Sequence, residues 1–320
     1  MGATWLGIAC GIGAGALWGL VFLAPELASA FTPLQLAAGR YLAYGLFAVL
    51  LVLPRWRALR AGLGLREWWA LAWLSLLGNI LYYALLATAV QVGGMAMTSL
   101  VIGFLPVAVT VIGSRDHGAV PVRKLVPSLL LGAAGILCIG WQSLGDALGD
   151  GRTGMPMAEL TGLLCAVGAL ASWTVYAVGN SRWLARLGHV SAHDWSLLTG
   201  VVTGAQALLL AVPAFLFATS GHAAGEWLRF AAVVTGVAIL ASIVGNALWN
   251  RMSRLLPLTL VGQMILFETL FALLYGFLWE QRLPTGMELV ALVCVTGSVL
   301  SCVAAHRPKP SEAARQPAPA

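Results

Sequence analysis

Apolar residues dominate this chain in long runs, and polar and charged residues gather in the short gaps between them. A bilayer span takes about 20 mostly apolar residues. The pattern predicts ten such helices, near residues 4–23, 33–53, 68–89, 94–113, 124–142, 159–178, 195–218, 227–249, 257–277 and 285–305. No run alternates with the period of two that a half-buried strand needs. The predicted fold class is an all-α integral membrane protein of ten transmembrane helices, and the short connections leave no room for a soluble domain.

Basic residues orient these spans, because cytoplasmic loops retain Lys and Arg. One set of loops carries Arg55, Arg57, Arg60 and Arg66, then Arg115, Arg123 and Lys124, then Arg182 and Arg186, then Arg251 and Arg254, then Arg307, Lys309 and Arg315. The alternate set holds Arg152 and Arg282. Both termini are therefore expected in the cytoplasm of a multi-pass protein of the inner (plasma) membrane. Trp5, Trp56, Trp68, Trp69, Trp183, Trp195, Trp227 and Trp279 fall at or near predicted interfaces, where amphipathic rings are favoured. Trp18, Trp173 and Trp249 do not fit that explanation.

Composition sharpens the class. Of 320 residues, 60% are hydrophobic and 9% charged, with mean hydropathy +0.88; an ordinary soluble domain has about 25% charged residues. The net charge of +6 follows from the loop asymmetry, so nucleic acid is not an expected partner. The first apolar run lacks the basic start and small-residue cleavage site of a secretory signal and reads as a permanent span. The tail at 306–320, rich in Pro and Ala, is expected to be disordered in the cytoplasm. The five cysteines, Cys10, Cys138, Cys165, Cys294 and Cys302, all lie in apolar runs without a CxxC pair, and the His residues fall in loops. Neither a metal nor a cofactor is expected.

The two halves, 1–143 and 158–305, joined by an extracytoplasmic loop at 144–157, resemble each other. "GALWGLVF" in span one answers to "GALASWTVY" in span six, with Trp18 and Trp173 deep in each helix. "LLGNILYYALLATAV" and "IVGNALWNRMSRLLP" place Gly78-Asn79 and Gly245-Asn246 at matching positions in spans three and eight. "IGFLPVAV" and "ILFETLFAL" set Pro106 opposite Thr269. Five spans per half is odd, so the second half enters from the other side. That is an inverted repeat, whose substrate site lies near the midplane between halves.

This order of motifs resembles the drug/metabolite transporter superfamily with EamA-type repeats: "LAAGRYLAYG" in span two, "YYALLATA" in span three, "FLPVAV" in span four and "FETLFALLYGFLWEQRLP" in span nine. The chain departs from the family's Glu-Pro pattern in span nine, where Thr269 follows Glu268. The resemblance implies an exporter of small metabolites working by alternating access. Trp18 and Trp173 are further similar in position to the cavity tryptophans of YddG-like aromatic amino acid exporters, which implies an amino acid cargo, aromatic or otherwise apolar. Export of another small metabolite or drug is the alternative. A membrane-embedded enzyme is a poorer match, because the spans hold no cluster of Ser/His, paired Asp or metal ligands.

Glu268 is the main candidate for chemistry. It lies roughly 16 Å into its span at 1.5 Å per residue, a depth where ionisable groups line pathways. Three roles are open to it: binding a substrate ammonium, carrying a coupling proton, or pairing with Arg40. Arg40, roughly 10 Å below the outer face, has the structural pair, a substrate carboxylate or the backbone carbonyls of a helix end as its options. Trp18 and Trp173 are candidates to stack on a planar substrate, with core packing as the competing role. Asn79 and Asn246 are buried amides suited to substrate or to interhelical bonds. Tyr82, Tyr83, Phe104 and Tyr176 complete the predicted substrate-binding set, with Gln263 and Trp249 as further cavity candidates. Gly7, Gly11, Gly15 and Gly19 recur every fourth residue and predict a close helix contact. Pro106, mid-span, is expected to kink or hinge span four.

Overall fold

The computed structural model describes residues 2–93, 98, 101–116, 119–149, 156–216 and 221–306; the expected tail beyond His306 lies outside them. Among the described residues every regular element is helical. The principal ones, in chain order, are α1 (Gly2–Gly19), α2 (Pro33–Val52), α3 (Leu65–Ser75), α4 (Leu81–Gly93), α5 (Leu105–Gly113), α6 (Val122–Gly149), α7 (Pro156–Arg186), α8 (Ala192–Leu216), α9 (Ala224–Val237), α10 (Asn246–Leu255), α11 (Leu258–Met264), α12 (Leu266–Glu280) and α13 (Gly286–Ala305). Among the described residues seven helical segments are long and apolar enough to cross a bilayer: Leu34–Ala61, Leu65–Ala89, Leu160–Arg186, Ala192–Leu216, Ala224–Leu255, Leu258–Trp279 and Gly286–Ala305.

Local chemistry sets where the helices begin. Thr32 accepts a hydrogen bond from the Gln35 N–H while the Gln35 side chain accepts from the Thr32 N–H, with Pro33 at the first helical position. That reciprocal cap satisfies two of the donors a helix start leaves open. Thr285 and Glu288 repeat it at α13, where Arg282 grips the Glu288 carboxylate through two bonds of 2.8 Å. Glu67 and Glu226 cap α3 and α9 by accepting the N–H groups of Gly64 and Ala223 at 2.8 Å each.

Three interruptions shape the interior. α3 passes into α4 through a wide π-helical turn at Leu76–Ile80, and α9 passes into α10 through another at Ala238–Gly245. Such turns free backbone carbonyls and occur often at functional sites. α11 and α12 are separated at Ile265, where the Glu268 N–H bonds to the Ile265 carbonyl in a tightened turn. Pro106 does not kink a continuous helix: the chain turns at residues 103–104 and Pro106 sits in the first turn of α5. A residue without an N–H costs nothing there, since first-turn donors have no intrahelical acceptor.

Small polar side chains point inward and large apolar ones also cover the outer faces, the arrangement a lipid solvent demands. Ser75, Thr110, Ser128, Asn180, Asn250 and Ser298 are buried, while Leu209, Leu228 and Val293 are more than two-thirds exposed. α2 crosses α8 with Gly45 against Gly204. α6 and α13 meet at Ser128 and Ser298, each hydroxyl donating to the other's backbone carbonyl, at 2.8 and 2.6 Å. Towards the arginine-rich ends, the Asn180 amide donates to Asn250 Oδ1 at 2.8 Å and accepts from Trp195 Nε1 at 2.9 Å. Asn180→Leu leaves both partners buried and unpaired, so we expect a loss of about 2–3 kcal/mol in stability, read as a lower melting temperature in detergent. An unchanged melt would contradict the assignment.

Candidate functional site

The wide turns bring the candidate residues together. Trp18 on α1 donates its Nε1–H to the Ala241 carbonyl, inside the second wide turn, at 3.1 Å. Its ring lies 5.0 Å from that of Trp249 on α10 and 6.3 Å from that of Trp173 on α7. Trp173 and Trp249 are 5.6 Å apart, which closes a triangle of indoles. Tyr82 on α4 and Tyr176 on α7 flank Trp173 at 6.4 and 5.8 Å. The two Gly-Asn pairs make this possible. A Cβ at Gly78 would lie 2.4 Å from the Tyr176 ring, and one at Gly245 would lie 2.9 Å from Trp18 Nε1.

Both asparagines turn away from the indoles and bond across to the crossing of α2 and α8. Asn79 donates to Thr203 Oγ1 at 3.1 Å, and Asn246 approaches the Tyr44 hydroxyl at 3.5 Å. Tyr44 in turn donates to the Ser196 carbonyl at 2.7 Å. Thr203 and Tyr44 immediately precede Gly204 and Gly45, the two glycines of that crossing.

Glu268 lies in the first turn of α12, half-buried, with no hydrogen bond or ion pair from its carboxylate among the described residues. A carboxylate near a helix start is favoured by the helix dipole. Arg40 is near enough to act on Glu268 through space but does not form an ion pair with it. Its Nε donates to Ser242 Oγ at 3.0 Å, and its guanidinium sits 5.3 Å from the centre of the Tyr41 ring. Both terminal nitrogens are left unbonded among the described residues. Arg40 and Tyr83 line a small cavity with Val21, Ala24, Leu36 and Val237, of about 20 Å³, room for about one water.

Gly7, Gly11, Gly15 and Gly19 form one face of α1, pressed first against Leu256 and Met252 and then against the start of α12. A Cβ at Gly15 would meet the Glu268 backbone nitrogen at 2.9 Å, and one at Gly19 the Ala272 nitrogen at 2.9 Å. Tyr275 donates to the Ala16 carbonyl at 3.1 Å and ties the same helices. Phe104, in the turn before α5, makes no ring contact with the indole cluster among the described residues.

Trp249, a second-rank cavity candidate in the sequence, joins the cluster with its buried Nε1 unpartnered among the described residues, and Ser242, which sequence reasoning did not name, fixes Arg40. Each had a signal. Trp249 is a tryptophan far from an interface, three residues after Asn246. Ser242 stands three residues before Gly245, as Ser75 stands before Gly78. No group of three His, Cys, Asp or Glu among the described residues is placed to hold a metal ion.

Comparison with known proteins agrees with this architecture. The sequence model of the EamA-like transporter family matches residues 5–141. Inner membrane protein YtfF of Escherichia coli (strain K12) is 31% identical over 308 residues, covering 93% of this chain and 94% of its own. The uncharacterized transporter YvbV of Bacillus subtilis (strain 168) is 27% identical over 213 residues, 66% of this chain and 63% of its own. A protein of known crystal structure superimposes with a TM-score of 0.67 at 21% identity, over 95% of this chain and 98% of the other, a likeness of fold.

Proposed function

The chain belongs to the EamA-like transporter family, and from that premise we propose that it is a ten-span inner-membrane exporter of small apolar or aromatic amino acids. Its two halves form an inverted repeat that works by alternating access, with both termini in the cytoplasm. The observation that carries this reading is the indole triangle: Trp18 and Trp173, matched in sequence between halves, meet at the junction of the wide turns.

Reciprocal contacts support the repeat. Gly45 and Gly204 approach each other equally, Ser128 and Ser298 exchange hydrogen bonds, and each Gly-Asn asparagine reaches the residue preceding a crossing glycine. A two-fold relation between halves produces this pattern, because contacts across such an axis come in pairs. The resemblance of the full-length inner-membrane relative supports the location.

In the proposed site the indoles hold the substrate's apolar group, Glu268 takes its ammonium and the free terminal nitrogens of Arg40 take its carboxylate. Oppositely charged groups that are near but unpaired offer a zwitterion two separate anchors. The space beside Arg40 admits a water, so a larger solute enters as the helices shift about the glycine contacts.

Flux of labelled tryptophan, phenylalanine and leucine into proteoliposomes tests the reading. We expect saturable flux for the wild type and about a tenfold weaker apparent affinity for Trp18→Ala. Trp18→Phe, which keeps a ring, recovers most of it. Saturable flux with an unchanged affinity in Trp18→Ala would remove the indoles from the site. No flux of any amino acid would redirect the substrate search to other small metabolites.

A further inference from the structure

On the arginine-rich side of the molecule a groove of about 450 Å³ opens between α3 and α7. Leu65, Arg66, Trp69 and Trp73 line it from α3, and Trp183 and Arg186 from α7. We propose that this groove binds the headgroup of an anionic phospholipid of the cytoplasmic leaflet, its phosphate between Arg66 and Arg186 and its first acyl carbons along Trp69 and Leu65.

Three other arginines of this side are engaged within the protein. Arg55 pairs with Asp194 at 2.7 Å and Arg182 with Asp116 at 2.6 Å. Arg254 donates to the carbonyls of Leu187 and Val190. Arg66 and Arg186 are exposed and have no hydrogen bond or ion pair among the described residues. No acid lines the groove. Glu67, next to Arg66 in sequence, accepts the Gly64 N–H with its carboxylate. Two unpaired guanidiniums on adjacent helices are a cleft of one sign, and guanidinium matches phosphate through paired N–H donors.

The apolar lining distinguishes a lipid from a soluble phosphate. Trp69 is 68% exposed and Leu65 75%; both lie at the end of a membrane-crossing segment, where water would meet them if lipid did not. Indole rings prefer the headgroup level, and basic clefts between spans attract anionic headgroups. The floor is fixed: a Cβ at Gly179 on α7 would lie 2.4 Å from Trp73 Cη2, so Trp73 packs directly against the α7 backbone. A lipid seated here bridges α3 and α7, the helices that carry Gly78 and Tyr176 into the central cluster.

The test uses the purified full-length protein, delipidated into zwitterionic detergent and titrated with phosphatidylglycerol or phosphatidylcholine while bound lipid is counted by native mass spectrometry. We expect preferential retention of phosphatidylglycerol, weakened about fivefold by Arg66→Ala, about fivefold by Arg186→Ala and more by the pair together, with phosphatidylcholine retention unchanged. Arg57→Ala combined with Arg60→Ala removes the same charge from the neighbouring segment and leaves retention intact. Equal losses in both double variants would mean diffuse surface attraction and overturn the site. So would retention unaffected by the Arg66 and Arg186 changes, or displacement of the lipid by millimolar inorganic phosphate.

Discussion

Gly204→Val is expected to destabilise the detergent-solubilised protein by about 3 kcal/mol, the upper end of the usual cost of overpacking. The size of the effect follows from what the new atoms meet. A Cβ at Gly204 would lie 2.5 Å from the Gly45 Cα, and a Cβ at Gly45 would lie 2.5 Å from the Gly204 Cα. A flexible side chain swings aside at small cost; a backbone carbon moves only with its helix. α2 and α8 would have to separate, breaking the Tyr44 bond to the Ser196 carbonyl across the pair. Gly45→Val should do the same for the same reason. Gly236 in α9 has nothing within 4 Å of an added Cβ, so Gly236→Ala is expected to be neutral or to stabilise by up to about 1 kcal/mol through helix propensity. Thermal unfolding of the three variants checks this. A melting temperature for Gly204→Val equal to that of the wild type would show that the helices do not cross at this point.

Much of the architecture is legible in the sequence because the bilayer imposes simple demands. Runs of about 20 apolar residues can only cross it as helices. The glycine spacing of α1 announced a close contact, though not that its partner would be the interrupted start of α12. What stayed hidden depends on backbone detail. Nothing in "LLGNI" or "AILASIVG" distinguishes a wide turn from an ordinary one, since each hydrogen bond merely shifts by one residue. The turns persist through what packs against them: Tyr176 on Gly78, and Trp18 on Gly245 and the Ala241 carbonyl. Pro106 was read as a mid-helix kink because apolar residues continue on both sides of it, whereas the chain turns at 103–104 and uses the proline to restart. The break at Ile265 has no proline at all. There the α1 backbone presses on Phe267 and Glu268 through Gly15, a tertiary cause that a local reading does not contain. Trp18 and Trp173 were found by comparing halves. Trp249, which joins them, corresponds to no tryptophan in the first half, so the repeat alone ranked it below the other two.

Glu268→Gln is the second large effect. Glutamine keeps the shape and the position in the first turn of α12 but removes the charge. Because the Glu268 carboxylate has no hydrogen bond or ion pair among the described residues, its loss leaves no buried partner stranded, and the fold is expected to melt at or above the wild-type temperature. Binding should behave otherwise. A hydrogen bond to a charged group contributes about 1.5–3 kcal/mol, so the apparent affinity for an amino acid should fall by about 10- to 100-fold. An analogue with the amino group removed supplies the internal control, since its transport owes nothing to an ammonium anchor and should be equally fast in both proteins. The comparison separates the roles open to this residue. If affinity for both compounds is untouched but accumulation against an imposed pH gradient disappears, Glu268 carries the coupling proton and the amine binds elsewhere. If the variant melts lower and both fluxes drop together, its carboxylate holds the helices in place. Selective loss of the amine-bearing substrate is the outcome that the site geometry favours: Arg40 is anchored through its Nε to Ser242 and forms no ion pair with Glu268, so the carboxylate remains available to a cation that arrives with the cargo.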